Sequence, residues 1–151
     1  MRGPEFPTDH ERPLAPRGMR DAPRIAELLR AEKLLPDLII ASTAVRAVDT
    51  AQLVQRELDG VELETNDLLY AASLDDLLDV MHELPDASRC VLLVGHNPGL
   101  EELVCELTAE TEVVLKTCSL AVVRLHAPTW HAAEHGNGEL VAVYHIGELE
   151  A

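Results

Sequence analysis

The sequence predicts an α/β domain built on a mostly parallel sheet. Three observations carry that prediction. Short apolar runs, DLIIA at 37–41 and VLLV at 91–94, read as buried strands. Amphipathic stretches with apolar residues at three-four spacing stand between and after them. The alternation then ends in two strand-like segments close together near the C-terminus, so helices are expected to flank a parallel sheet and a β pair to close it.

The first element is a helix from Gly18 to about Lys33, in which Ile25, Leu28 and Leu29 with Ala22 and Ala26 make one apolar face. Pro23 is assigned to its first turn, where a missing N–H is tolerated, and Pro36 ends it. Asp37–Ala41 follows as a buried strand. Ser42 or Thr43 is a candidate N-cap for a helix that runs to about Leu58 and is closed by Gly60. Val61–Glu64 alternates apolar and acidic residues, as a half-buried strand does. Ser73 is placed to cap a helix over 74–84, with Leu74, Leu77, Leu78 and Met81 at helical spacing. Pro85-Asp86 turns the chain into a strand at 89–94, and a helix follows over 98–108. Strands at about 119–126 and 139–146 flank a turn-rich insert ending in Gly136-Asn137-Gly138, a composition that suggests a hairpin. MRGPEFPT at the start has no apolar period, so residues 1–8 read as a disordered leader and 9–151 as a single domain.

A chain of 151 residues can bury a substantial core, and with 3% aromatic residues that core falls to Leu, Val, Ala and Ile. Lys and Arg number 12 against 27 Asp and Glu, giving a net charge of −15. Such a surface repels nucleic acid and anionic membranes, and neither is expected as a partner. No apolar run approaches about 18 residues, so the chain reads as a soluble cytoplasmic protein. Cys90, Cys105 and Cys118 lack CxxC spacing and have apolar neighbours, the pattern of buried free thiols. The seven histidines are scattered, with no HExxH and no paired Cys/His spacing, so no metal is expected.

Ligands of open α/β sheets sit beyond the carboxyl ends of the strands, and two strand-to-helix corners carry chemically capable residues. In LIIASTAVRAVDTAQ (38–52), Ser42 and Thr43 leave the strand and Arg46 stands about one turn into the helix. In LLVGHNPGLEELV (92–104), His96 stands at the strand exit, and Gly95 and Gly99 permit close approach of backbone to a ligand. If the two strands are neighbours, Arg46 and His96 converge where helix N-termini offer N–H groups and a positive dipole end. The guanidinium fork matches phosphate oxygens, and an imidazole of reference pKa about 6.5 serves either binding or proton transfer. That combination describes a phosphate pocket in an otherwise acidic protein. Taken singly, an arginine on a helix is usually solvated or ion-paired, and a histidine after a strand is usually a satisfied loop residue. GHNPG resists the plain reading, because its glycines and proline shape a backbone around one reactive side chain.

DHERPLAPRG (9–18), IIASTAVRAVDTAQ (39–52), LLYAASLDDLL (68–78) and VLLVGHNPGLEELV (91–104) resemble, in this order and spacing, the histidine phosphatase superfamily and within it the small SixA-type phosphohistidine phosphatases. The resemblance implies a three-layer, phosphoglycerate mutase-like α/β fold with a mostly parallel central sheet flanked by helices. It also implies transfer of a phosphoryl group to a catalytic histidine and its hydrolysis, with no metal or other cofactor. The substrate would be phosphohistidine in a protein or a small phosphoester. By motif, Arg46 would clamp phosphate. His96 would be the second catalytic histidine, hydrogen-bonding the transferring group and stabilising charge as it develops. Arg12, in the RPL element, would be a phosphate-side or entrance arginine, and Ser42, Gly95 and Asn97 would shape the loops.

The chain departs from the family pattern in two places. Members open on a hydrophobic strand ending in Arg-His-Gly or Arg-His-Ala, which supplies the nucleophile and a first arginine. MRGPEFPTD contains no such element, and His10 belongs to DHERPL, so the nucleophile is unassigned. A first strand missing from the centre of the sheet would leave an inner edge open to strand exchange. Loss of a covalent nucleophile can cost on the order of a million-fold in rate, so this chain is expected to bind well and turn over poorly. The glutamate proton donor of many members is also absent from Leu69-Tyr70-Ala71-Ala72. A phosphoramidate nitrogen leaves with little help, which suits phosphohistidine better than an alkyl phosphate. The alternative class is a non-catalytic module that binds phosphate or phosphohistidine; either way the expected partner is a phosphorylated protein or small molecule.

Overall fold

The computed structural model describes residues 8–146. Residues 1–7, which hold most of the expected leader, and 147–151 lie outside the described residues. The elements run α1 (Pro16–Ala31), β1 (Leu38–Ala41), α2 (Val45–Glu57), β2 (Glu62–Thr65), a 3-10 turn (Asp67–Leu69), α3 (Leu74–His82), β3 (Val91–Val94), α4 (Gly99–Thr108), β4 (Ser119–Leu125) and β5 (Gly138–His145). They form two compact units. One comprises the residues through Tyr70 with Arg89–Gly95, the other Ala71–Ser88 with the residues from His96 onward.

The first unit is an α/β layer. Its three strands are all parallel, in the order β2-β1-β3. Every residue of β1 is buried, which explains why this strand is a continuous apolar run rather than an alternating one. Leu38, Ile39, Ile40 and Ala41 face Glu62–Thr65 in register on one edge and Val91–Val94 on the other. α2 returns across the sheet with Ala47, Ala51 and Val54 buried, and α1 packs on α2 through Ala22, Ile25, Ala26 and Leu29. β2 is an edge strand in which Leu63 is half-buried and the two glutamates are exposed, a pattern that discourages edge-to-edge pairing. Among the described strands β3 pairs with β1 alone, and its four residues are half-buried.

Two local expectations are corrected here. α1 begins at Pro16, which takes the first helical position itself, so Pro23 lies inside the helix and not in its first turn. There it has no N–H to offer the carbonyl one turn back, and packing of the helix on α2 holds the segment helical. Neither Ser42 nor Thr43 caps α2. Ala44 is the N-cap and provides no side-chain bond, while the Ser42 hydroxyl is turned to the Ala44 N–H at 3.1 Å.

In the second unit α3 is closed by a capping box. The Ser73 hydroxyl accepts from the Asp76 N–H and the Asp76 carboxylate accepts from the Ser73 N–H, each at 3.1 Å. α3 packs on α4, and α4 on the antiparallel pair β4 and β5. Gly99 sits where a side chain would meet the Ala72 carbonyl and Leu77 at 3.2 Å, so its smallness serves helix packing. β4 and β5 are paired as expected, but the connection is a long excursion through 126–137 and not a tight turn. His126 N–H and the Asn137 carbonyl close it at 2.8 Å, and Gly136 turns with φ +75°. A register shift after Val122 leaves Val141 without a facing partner, 45% exposed.

Each of the three cysteines is half-buried rather than buried. Burial pushes the Cys90 thiol up from its ordinary pKa, and the charge of Asp37 adds to the shift. No helix among the described residues is long and apolar enough to cross a membrane.

Ile39, fully buried between two paired strands, carries the core of the first unit. Ile39→Ala is expected to cost about 2–5 kcal/mol, whereas Val141→Ala on the exposed bulge is expected to cost less than about 1 kcal/mol. Urea unfolding of the two variants checks this.

Candidate functional site

The register of the parallel sheet brings Ala41, Thr65 and Val94 to one level, so β1, β2 and β3 end together. The chain leaves β1 through Ser42, whose N–H donates to the Val94 carbonyl at 2.9 Å, and the Asn66 N–H donates to the Ala41 carbonyl at 2.9 Å. Ser42 is completely buried, and its hydroxyl closes a turn on Ala44. That turn aims the chain into α2 and makes Arg46 the second residue of the helix. The segment before α1 lies over the same corner: the Val45 N–H, one of the orphan donors of the α2 start, donates to the His10 carbonyl at 2.9 Å.

Asp9 is the hub of the cluster. Arg46 donates to the Asp9 backbone carbonyl at 2.9 Å and to its carboxylate at 3.1 Å. Arg12 pairs with the other carboxylate oxygen at 3.0 Å, and the Tyr70 hydroxyl donates to the first at 2.9 Å. The hydrogen bond from Tyr70, with help from Arg46 and Arg12, holds the Asp9 carboxyl below the usual carboxylate range despite partial desolvation. The same bond pushes the Tyr70 phenol up, because ionising it would place two anions in contact. Two guanidinium groups on one carboxylate leave a surplus positive charge with both planes fixed, the chemistry of an anion seat. His10 completes the wall: its Nε2 lies 2.9 Å from the Thr43 hydroxyl and its ring meets Tyr70 edge-on at 4.8 Å.

Of the residues singled out from sequence, Arg46 and Arg12 meet on Asp9, and Ser42 shapes the turn beneath them. Gly95 continues from β3 in the first unit. His96 belongs to the second unit, where it is half-buried and its carbonyl accepts from the Leu100 N–H at 3.0 Å at the start of α4. Asn97 donates to the Leu115 carbonyl, and the Leu115 N–H donates to Glu101 at 2.7 Å, so the loop before α4 is tied to the segment before β4. Sequence reasoning missed Asp9 and Tyr70. They are 61 residues apart, and nothing local to either marks the contact; only the Asp preceding His10 in DHERPL was available as a signal.

A second depression, in the second unit, is lined by Glu101, Glu102, Glu106, Glu110 and Glu112 with His135. Its carboxylates repel a phosphoryl anion, so it does not compete with the Asp9 cluster for that chemistry. Among the described residues no group of three or more His, Cys, Asp or Glu could hold a metal ion. In Asp9→Asn the negative charge beside the phenol is gone, and Tyr70 is expected to ionise at a lower pH than in the unsubstituted chain. An ultraviolet phenolate titration, with Tyr144 as the internal reference, reads the shift.

Comparison with known proteins places this geometry in a family. The model for the histidine phosphatase superfamily (branch 1) matches residues 5–83, just over half of the chain. An uncharacterised chloroplast protein of Arabidopsis thaliana is 31% identical over 83% of this chain and 62% of its own length. An uncharacterised protein of Mycobacterium tuberculosis is 31% identical over 95% of this chain and 94% of its own. The chain therefore spans about three-fifths of the Arabidopsis relative and nearly all of the mycobacterial one. Among solved structures, a protein assigned as the phosphohistidine phosphatase SixA from Nakamurella multipartitia superposes with a TM-score of 0.81 at 25% identity, covering 93% of this chain and 88% of that one. Its counterpart from Agrobacterium tumefaciens gives 0.78 at 27% identity over 95% and 88%. The α/β fold, with its parallel sheet and flanking helices, is theirs, and the chain belongs to the histidine phosphatase superfamily (branch 1).

Proposed function

We propose that this chain is a phosphatase-type domain whose site takes phosphoryl groups carried on protein histidine, with small phosphoesters as the wider class. The observation that carries the reading is the joining of Arg46 and Arg12 on Asp9 at the strand-exit corner, in a chain of net charge −15. Arginines there would be neutralised piecemeal by an acidic surface unless one carboxylate held them in place. Family membership and the neighbours assigned as phosphohistidine phosphatases support the same chemistry.

In this reading the Arg46 guanidinium, oriented by Asp9, brings its charge and N–H groups to the phosphoryl oxygens, and Arg12 adds charge from the solvent side. The charge spread over the equatorial oxygens in the transition state is then met by donors already fixed in position. By motif, His96 is assigned the hydrogen bond to the transferring group. Asp9 and Tyr70 act as positioning groups, since they touch the arginines and each other. The nucleophile stays unassigned, because no stretch of the 151 residues matches the Arg-His-Gly or Arg-His-Ala motif. His10 is held by Thr43 and Tyr70 as part of the wall.

A second reading is a module that recognises phosphohistidine without hydrolysing it, favoured by His10, the histidine beside the two arginines, being held by Thr43 and Tyr70. Orthovanadate or inorganic phosphate binding by calorimetry, alongside phosphate release from a phosphohistidine peptide, separates the two. Arg46→Ala is expected to weaken oxyanion binding by roughly ten- to a hundredfold, the loss of a charge-assisted pair of hydrogen bonds. Release of phosphate that also depends on Arg46 establishes the enzyme; Arg46-dependent binding with no release establishes the module. Oxyanion binding that is absent, or indifferent to Arg46, sinks both.

A further inference from the structure

α1 carries a charge arrangement that the phosphoryl site does not use. Arg17, Arg20 and Arg24 stand at helical spacing on its N-terminal half, and all three converge on Asp21. Arg20 and Arg24 donate to one Asp21 oxygen at 3.1 and 3.2 Å, and Arg17 lies 3.9 Å from the other. Asp21 is wholly buried, whereas the Arg17 and Arg20 side chains are about two-thirds exposed. A buried carboxylate thus tethers three guanidinium groups, and Arg17 and Arg20 alone, both largely exposed, outnumber it and leave a positive surplus. The surplus lies at the helix end whose dipole is already positive, with no acidic residue in the first turn and no side-chain cap. Cations there cost helix stability, and balancing the charge of Asp21 needs only one of the three. The basic residues of the chain are concentrated in the first unit. The second unit holds fourteen of the 27 acidic residues and only Lys116 and Arg124 of the 12 basic ones.

The stripe is physically joined to the candidate site within the first unit. Arg46 and Asp49 are one turn apart on α2; Asp9 is bound by Arg46, and the Leu14 N–H donates to Asp49 at 3.3 Å. Residues 9–14 therefore run along one face of α2 and deliver the start of α1 beside the site. Leu14 also folds over Gly18, where an added Cβ would fall 2.4 Å from its side chain, so the join is tight.

We propose that the Arg17–Arg20–Arg24 stripe is a docking surface for an acidic segment of the protein that presents the phosphoryl group. The Arg17, Arg20 and Arg24 nitrogens all lie within 3.9 Å of one carboxylate, so the cluster is a compact positive patch, complementary to neighbouring aspartate and glutamate side chains of a partner segment. Tethering to Asp21 fixes the guanidinium stems beforehand, so less side-chain entropy is lost on docking. A long polyanion such as nucleic acid is disfavoured by the net charge of −15, which a short acidic segment largely escapes. The proposal rests on the phosphoryl reading for the identity of the partner, and not for the surface itself.

The test is fluorescence anisotropy on the full chain with four probes: a peptide carrying a stable phosphohistidine analogue with acidic flanks, the same peptide with serine flanks, the acidic peptide without phosphate, and a single-stranded oligonucleotide. Inorganic phosphate binding is measured in parallel. Acidic flanks are expected to tighten binding by about tenfold at low salt, the worth of two exposed charge pairs, and to lose that advantage as salt rises. Arg17→Ser with Arg20→Ser should abolish the preference while leaving phosphate binding unchanged, and Arg17→Glu with Arg20→Glu should transfer it to basic flanks. Circular dichroism confirms that each variant folds. Failure to bind phosphate, with Arg17- and Arg20-dependent binding of the unphosphorylated acidic peptide, would overturn the phosphoryl reading and keep the docking surface. Phosphate binding with no preference for acidic flanks, a preference indifferent to both substitutions, or tighter Arg-dependent binding of the oligonucleotide overturns the docking surface.

Discussion

The pairing of β1 along both edges is the constraint on which the rest of the first unit depends. Leu38–Ala41 is hydrogen-bonded in the same direction to β2 and to β3, with α2 across the face. Three strands must therefore finish at one level, and the chain has to leave the sheet beside its neighbours' ends. A one-residue slip would exchange the side chains that β1 sends to its two faces, both of them buried, and so force both to repack. The Ser42 turn, the start of α2 and the place of Arg46 all follow from that register.

Charge is organised on the same principle of one fixed anion per group of cations. Asp9 gathers Arg12, Arg46 and the Tyr70 hydroxyl; Asp21 gathers Arg17, Arg20 and Arg24. In both places the carboxyl is held in its charged form by these partners, with its pKa below the ordinary value. For Asp9 the hydrogen bond from Tyr70 contributes most, and for Asp21 the one from Arg20. Because the folded pKa values are depressed, these bonds stabilise the protein above the ordinary carboxylate pKa and are lost as pH falls through the folded value. Each hub carries more guanidinium than carboxylate, so an acidic chain keeps two local regions of positive potential. As proposed above, one would take a phosphoryl group and the other an acidic segment of the partner.

Much of this was legible in the sequence. The apolar runs at 38–41 and 91–94 and the amphipathic helices each declare themselves through a period that burial imposes on every residue. The Ser73 capping box is legible too, because both of its partners lie within four residues. The family was legible because the motif segments keep their order and spacing along the chain. The hydroxyls of Ser42 and Thr43 were misread as caps for a related reason. A cap is worth about 1 kcal/mol, and strand register, with many more bonds at stake, decides where the helix starts.

By itself, then, the sequence determined the element types, the parallel α/β class and the segments that carry chemistry, since these rest on local periodicity and composition. Only the tertiary structure decided that Asp9 joins Tyr70 and Arg46 across 61 and 37 residues. It alone decided that Asp21 is buried beneath three arginines rather than solvated among them. The reason is physical: whether a carboxylate on an amphipathic helix is a surface charge or an organising one depends on which face its neighbours cover, and that is fixed by packing, not by the order of residues.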